Sequence, residues 1–143
     1  MLVLSFSIPV KAEPSHIWAH YVDFELRKKW ETDLESLQFE GEVKTGQYGK
    51  MVLRGKPEIR FYLSNIEINK EFTDQVSLPH IGTLIFSHQI LPHKNNMEYL
   101  IKATVSLMPD SNVPAIQVQN FFKQVTHDLV ETVLRLKATV ETY

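Results

Sequence analysis

Strand-like and helix-like hydrophobic patterns follow one another along this chain in an order that suits few folds. Apolar and polar residues alternate from Leu2 to Ile8, which predicts a first β-strand. Two short helical segments follow, and strand-like segments then continue to residue 108. From Pro114 onward the apolar residues recur with the period of one amphipathic helix. This order predicts a curved sheet that packs against a terminal helix.

The two short helical segments have clear start signals. Pro14 suits the first turn of a helix, because its missing N–H would have no partner inside the helix. Asp23 is a suitable N-cap for the second segment. Basic residues 27–29 are expected on the solvent side of that segment, where contact with an anionic membrane is an alternative. Trp18 and Trp30 are expected to anchor the packing, and Trp30 could also line the mouth of a cavity.

Six strand-like segments lie between the short helices and the terminal helix. They are separated by turn residues and cover positions 37–40, 48–53, 58–68, 71–78, 83–91 and 97–108. Their short connections predict antiparallel pairing, because parallel strands need long crossovers. The terminal helix should be about 27 residues and about 40 Å long, enough to cross most of the sheet. Its apolar stripe consists of Val118, Phe122, Val125, Leu129, Val133, Leu136 and Val140.

Composition limits the class of protein. A chain of 143 residues is expected to form a single domain, 1–143, with a substantial core. The net charge of −2 gives no electrostatic footprint for nucleic acid. The absence of cysteine excludes disulfides and thiolate metal sites and is typical of a reducing compartment. No apolar stretch reaches the roughly 20 residues that span a bilayer. These features predict a cytoplasmic protein without an integral membrane segment.

The order of elements and several landmarks resemble the START-like, or SRPBCC, superfamily, particularly its polyketide cyclase/dehydrase and lipid transport branch. The resemblance covers nearly the whole chain, and Asn69-Lys70 departs from the acidic residue and proline common in that turn. It implies an α+β helix-grip fold, with about seven antiparallel strands around a long C-terminal helix and two short helices after the first strand. The matching landmarks are Ile8, Ala12, Ile17-Trp18, Asp23, Trp30, Gly41, Gly46, Leu134-Arg135-Leu136-Lys137 and Glu141.

The resemblance implies an internal cavity, and strand parity indicates which residues line it. The expected lining is mostly apolar with a few polar groups, which is typical of a small-molecule pocket. Asp74 shares the inward parity of its strand but is expected at an exposed edge. The candidate ligand-binding residues are Trp30, Phe61, Leu63, Phe72, Phe86, His88, Tyr99, Ile101, Phe121, Phe122 and Val125.

A few residues could carry chemistry inside such a cavity. His88 lies on the apolar parity of its strand, and beside Tyr99 and Asp74 it could act as an acid/base group. A hydrogen-bonded histidine of the core or of the cavity rim is the simpler interpretation. His16 and His20 are four residues apart and could reach one metal ion, but a surface or capping pair is expected. Neither a metal nor a cofactor is predicted.

Three functions stay open at this level, because the superfamily includes cyclases, lipid carriers and protein-interaction domains. The first is the binding of a small hydrophobic molecule, lipid or polyketide-like. The second is an enzyme of cyclase or dehydratase type, in which His88 or Tyr99 moves a proton. The third is a protein-interaction module with an incidental cavity. The expected partner is a small hydrophobic ligand and not nucleic acid, and both a monomer and a homodimer are compatible with the sequence.

Overall fold

A computed structural model describes residues 1–93 and 98–142 of the chain. Its strands form one seven-stranded antiparallel sheet, and its helices lie after the first strand and at the C-terminal end. The predicted α+β helix-grip architecture is confirmed. The elements are β1 (Leu2–Val10), α1 (Pro14–Val22), α2 (Phe24–Arg27), β2 (Leu34–Phe39), β3 (Tyr48–Leu53), β4 (Ile59–Glu67), β5 (Glu71–Leu78), β6 (Gly82–Pro92), β7 (Tyr99–Pro109), α3 (Ala115–Thr126) and α4 (Leu129–Thr142).

The strand order across the sheet is β1-β7-β6-β5-β4-β3-β2, so β5 is central and β1 and β2 are the edges. Strands β3 and β5 begin and end where the alternation of the sequence predicted. The inward residues of β6 include Phe86 and His88, which lie opposite Val105 and Ala103 of β7. The predicted turn at residues 94–96, and Met97 as the start of the last strand, lie outside the described residues. None of the described helices has the length and apolarity needed to cross a membrane.

The one-turn helix α2 follows its predicted start signal but not its predicted solvent exposure. The Asp23 carboxylate accepts hydrogen bonds from the backbone N–H groups of Glu25 (2.8 Å) and Leu26 (3.4 Å). Arg27, which was expected on the solvent side, is only 3% exposed. It can be buried because the Glu31 carboxylate, four residues on, accepts a hydrogen bond from Arg27 Nε at 2.6 Å. Residues 28 and 29 are exposed, as expected.

The terminal helical region contains a break that its continuous apolar stripe did not predict. α3 ends at Thr126 and α4 begins at Leu129, with a turn at residues 127–128. The Thr126 hydroxyl donates to the carbonyl of Phe122 (2.7 Å), and His127 Nδ1 lies 2.7 Å from the carbonyl of Gln124. These side chains bond to carbonyls of the last turn of α3, a type of interaction that competes with the regular helical ladder.

The core divides into two clusters that the two helices cover separately. The main cluster packs α1, the loop at Trp30, most of the sheet and α4, and it includes Trp30, Phe61, Leu63, Phe72, Ile101, Val133, Leu136 and Val140. The second cluster lies under α3 at the end of β6 and β7, and its buried residues are Leu84, Val105, Leu107 and Val118. Leu129, at the start of α4, packs against both clusters.

Candidate functional site

A small cavity lies between the inner face of the sheet and α4. Its volume of about 30 Å³ accommodates about one water molecule. Sites for drug-sized ligands are roughly ten or more times larger, at about 300–1,000 Å³. The expected chamber is therefore nearly closed in this conformation. The cavity is lined by Tyr21, Trp30, His88, Ile101, Lys102, Ala103, Leu129, Thr132, Val133 and Leu136.

The structure separates the predicted ligand-binding residues into three groups. Trp30, His88 and Ile101 line the cavity itself. Five more lie away from it, around the second cluster or at the far end of β7: Phe86, Phe121, Phe122, Val125 and Tyr99. The remaining three are buried in the main cluster without lining the cavity: Phe61, Leu63 and Phe72.

His88 occupies the centre of an aromatic cage. Its ring stacks on that of Tyr21, with 5.1 Å between the ring centroids and 29° between the ring planes. It also makes an edge-to-face contact with Trp30, at 5.9 Å between the ring centroids. Burial, assisted by the positive charge of Arg27, lowers the pKa of His88 to about 3, so the imidazole is neutral at physiological pH. The ring makes no hydrogen bond to any residue in the described ranges.

Tyr99 does not lie beside His88. It pairs with Val10 and Pro92, four positions along β7 from Ala103, the partner of His88. At about 3.3 Å per residue, this offset is about 13 Å. The tyrosine that contacts His88 is Tyr21 of α1. Its hydroxyl is held neutral, because burial raises its pKa well above the ordinary value.

Asp74 is buried, which corrects the expectation of an exposed edge position. It is 1% exposed because β5 is the fourth of seven strands and its inner face is covered. Its Oδ1 atom has no hydrogen-bond partner in the described part of the chain. Burial raises the pKa of Asp74 to about 7. The positive charge of Arg27 opposes this increase, and the negative charge of Glu31 adds to it.

Arg27 supplies the positive charge of this region. Its Nη1 donates to the carbonyl of Tyr21 (3.1 Å), and its guanidinium lies 5.8 Å from the Trp30 ring centroid and 5.4 Å from that of Phe72. Burial opposes its charge, but the carboxylates of Glu31 and Asp74 outweigh that effect and raise its pKa. We refer to Arg27, Glu31, Asp74 and His88 as the buried polar cluster.

The pair His16 and His20 connects helices and is not a surface pair. His20 is fully buried, its Nδ1 lies 2.8 Å from the carbonyl of His16, and its Nε2 has no partner among the described residues. Burial lowers its pKa. His16 Nε2 lies 3.1 Å from the carbonyl of Val140, which ties α1 to α4. Across residues 1–93 and 98–142, no group of three or more His, Asp or Glu residues could hold a metal ion.

Sequence reasoning missed three members of this site, namely Tyr21, Arg27 and Glu31. One signal was available. Arg27 and Glu31 are four residues apart, the spacing at which opposite charges meet on a helix. The hydrogen-bonded pairing with Glu31 explains how the charge of Arg27 can be buried.

No protein-family model matches the chain, and no curated protein matches its sequence. Solved structures do match its fold. The Aha1 dimer from Colwellia psychrerythraea has a TM-score of 0.71 at 19% identity, covering 99% of this chain and 97% of that one. Ara h 8.0201 has a TM-score of 0.68 at 17% identity, covering 99% of this chain and 100% of that one. A Thalictrum norcoclaurine synthase mutant in complex with a transition-state analogue has a TM-score of 0.67 at 13% identity, covering 99% of this chain and 94% of that one. The chain therefore shares the helix-grip fold of these structures.

Proposed function

We propose that this protein binds a small hydrophobic molecule, lipid or polyketide-like, between the sheet and α4. The observation that carries the proposal is an apolar cavity lined by His88, together with the buried Asp74 Oδ1 atom, which has no hydrogen-bond partner in the described chain and lies near the same Arg27 charge as His88. An unpaired buried polar atom costs about 1–3 kcal/mol, and a ligand hydroxyl or amide could offset that cost. The rest of the ligand would replace water at the apolar walls.

Binding requires the cavity to widen. One wall consists of Leu129, Thr132, Val133 and Leu136 of α4, which begins directly after the break at residues 127–128. A shift of α4 or α3 at this break would enlarge the space without disturbing the sheet. The observed affinity would then be reduced by the fraction of molecules in the open state. A norcoclaurine synthase of the same fold holds a transition-state analogue, which supports small-molecule binding by this architecture.

We also propose that the protein belongs to the polyketide cyclase/dehydrase and lipid transport branch and is cytoplasmic. The landmarks of the sequence support membership in the polyketide cyclase/dehydrase and lipid transport branch, and the cysteine-free composition supports a cytoplasmic location. Native mass spectrometry of the freshly purified protein tests the ligand class directly. A co-purified lipid or polyketide-like molecule is expected. Consistent recovery of ligand-free protein that also fails to bind fatty alcohols and flat phenols would contradict the proposal.

Enlarging the cavity should increase its affinity for apolar ligands. Leu136→Ala removes a buried side chain from the cavity wall, and we expect it to cost about 2–5 kcal/mol of stability. Binding of toluene, followed by thermal shift and tryptophan fluorescence, should strengthen by at least about tenfold. The matched control is Leu134→Ala on the same helix, where the side chain is 44% rather than 2% exposed. Equal binding by the two variants would place the ligand elsewhere.

An enzyme of cyclase or dehydratase type is the second candidate. The observation in its favour is the convergence of Arg27, Asp74 and His88 on one region, with the pKa of Asp74 raised to about 7, near the working pH of an acid/base group. Once a ligand is identified, Asp74→Asn should reduce its turnover by about 100-fold or more if Asp74 transfers a proton. In a carrier the same variant should leave the ligand unchanged and bound, because the amide of the introduced asparagine still offers hydrogen bonds. Product analysis by mass spectrometry separates these outcomes.

A further inference from the structure

The edge strand β1 leaves part of its backbone unpaired. Among the strands of the described residues, its one neighbour in the sheet is β7. On the opposite side, the carbonyl of Pro9 accepts from Lys137 Nζ (2.8 Å) and the N–H of Lys11 donates to Glu141 Oε2 (2.9 Å). Alternate residues of an antiparallel strand direct both backbone groups to the same side. The backbone groups of residues 3, 5 and 7 therefore also point away from β7.

The two edges of the sheet differ in how they resist further pairing. Native edge strands are usually protected by short length, charged residues or bulges. β2 has all three features, because it is six residues long, carries Glu35 and has a register shift between Leu34 and Ser36. β1 is nine residues long, has no charged residue and pairs with β7 in unbroken register. Its segment from residue 3 to residue 7 is an open pairing edge.

Exposed apolar side chains lie on both elements beside this edge. Val3 is 54% exposed and Leu4 is 40% exposed. On α4, Val130 and Leu134 are 47% and 44% exposed. Their spacing places them on the same helix face as Lys137, which contacts β1. The open edge is therefore flanked by an apolar surface that water covers in a single copy of the chain.

We propose that the β1 edge pairs antiparallel with the β1 edge of a second copy, around a two-fold axis at Ser5. In this arrangement Val3 of one copy lies opposite Ser7 of the other, and Leu4 lies opposite Phe6. Apolar residues then meet on the inner face, and the two Ser5 residues meet on the outer face. The result is an isologous dimer with one continuous sheet.

The chemistry of the edge favours a second copy over another partner. On its C-terminal side the free segment ends where Lys137 and Glu141 occupy the backbone of Pro9 and Lys11, and an identical antiparallel strand centred on Ser5 pairs residues 3–7 with each other without overhang. The segment is uncharged, so two copies bring no like charges together at the contact, although each carries a net charge of −2. An extended peptide of a different protein is the competing occupant, and the experiment below distinguishes it.

The cysteine-free chain allows a test of the pairing register. Ser5 is exposed, and its hydroxyl lies 2.9 Å from Thr104 Oγ1 on the outer face. Two Cα atoms that face each other in a hydrogen-bonded antiparallel pair are about 5.5 Å apart, within the range of a disulfide. Ser5→Cys should therefore form a covalent dimer on mild oxidation. Ser7→Cys is the matched control, because its two copies would be offset by about 13 Å and should not cross-link.

Sedimentation equilibrium tests the contact without a cross-link. The unmodified protein should be dimeric at about 100 μM, and Leu4→Lys should shift it to monomer while circular dichroism shows an intact fold. Ile68→Lys, at an exposed apolar position away from β1, should leave the dimer unchanged. A monomeric wild-type protein, a dimer that resists Leu4→Lys, or equal cross-linking of Ser5→Cys and Ser7→Cys would each overturn the proposal. Capture of an extended peptide by a monomer would also overturn it.

Discussion

Replacing Arg27 with methionine is expected to lower the free energy of unfolding by about 3–5 kcal/mol. The substitution leaves the carboxylates of Glu31 and Asp74 without their positive partner and removes the hydrogen bond to the Tyr21 carbonyl. Methionine retains an apolar stem of similar length, so the loss would come mainly from charge and hydrogen bonding. Urea denaturation at pH 8, above the pKa of about 7 of Asp74, measures the change.

Lys28→Met is the matched control, since Lys28 is the next residue and its ion pair with Glu25 is exposed. Surface pairs of this kind contribute about 0–1 kcal/mol. The comparison separates the removal of a basic residue from the removal of a buried counter-charge. A cost below about 1 kcal/mol for both variants would show that the buried polar cluster does not depend on Arg27.

The pH dependence of stability should reveal two opposing contributions from the buried polar cluster. Asp74 has a pKa of about 7 in the folded protein, above its ordinary value, so the folded state binds its proton more tightly than the unfolded state does. The contribution of Asp74 to the free energy of unfolding therefore falls as pH rises toward 7. His88 has a pKa of about 3, below its ordinary value, so the unfolded state binds the proton first and stability falls as pH drops below 6.5. Between pH 4.5 and 6.5 the two residues change the free energy of unfolding by nearly equal and opposite amounts.

Single substitutions should reveal the separate pH dependence of stability that each residue causes. Each pKa unit is worth about 1.4 kcal/mol, so either contribution amounts to a few kcal/mol over its range. Asp74→Asn should be more stable than the wild-type protein at pH 8 and should lose stability as pH falls from 6.5 to 4.5. The lowered pKa of His20 adds to that loss. His88→Leu should instead gain stability on the same acidification, because the large contribution of Asp74 then exceeds the opposing contribution of His20. Urea midpoints at four pH values test this, and parallel curves for all three proteins would contradict it.

The inward direction of the strand side chains could be predicted from the sequence. The alternation in β6 correctly placed Phe86 and His88 on the inner face, because the direction of a side chain in a strand depends only on local parity. The bounds of β3 and β5 followed from the turn residues around them in the same way. Local patterns therefore determined which side chains point inward, though not which of them meet.

The burial of Arg27 and Asp74 could not be predicted, because it depends on distant contacts. A one-turn helix has too few residues for periodicity to show that Arg27 points inward. The burial of Asp74 follows from the central place of β5, and strand order is a property of the whole chain. The near-closure of the cavity depends on how side chains from α1, the sheet and α4 fill the remaining space. No single segment carries that information.

The break after Thr126 divides the terminal region into two units that can open independently. α3 buries only Val118 and Thr126, whereas α4 buries Val133, Leu136, Thr139 and Val140. Because the helical ladder is interrupted, α3 can unfold locally without breaking the hydrogen bonds of α4. Its backbone amides then exchange with solvent through a low-energy opening, while those of α4 need a larger one. What the sequence presents as one helix is thus two foldons of unequal stability, and the weaker one covers the second core cluster.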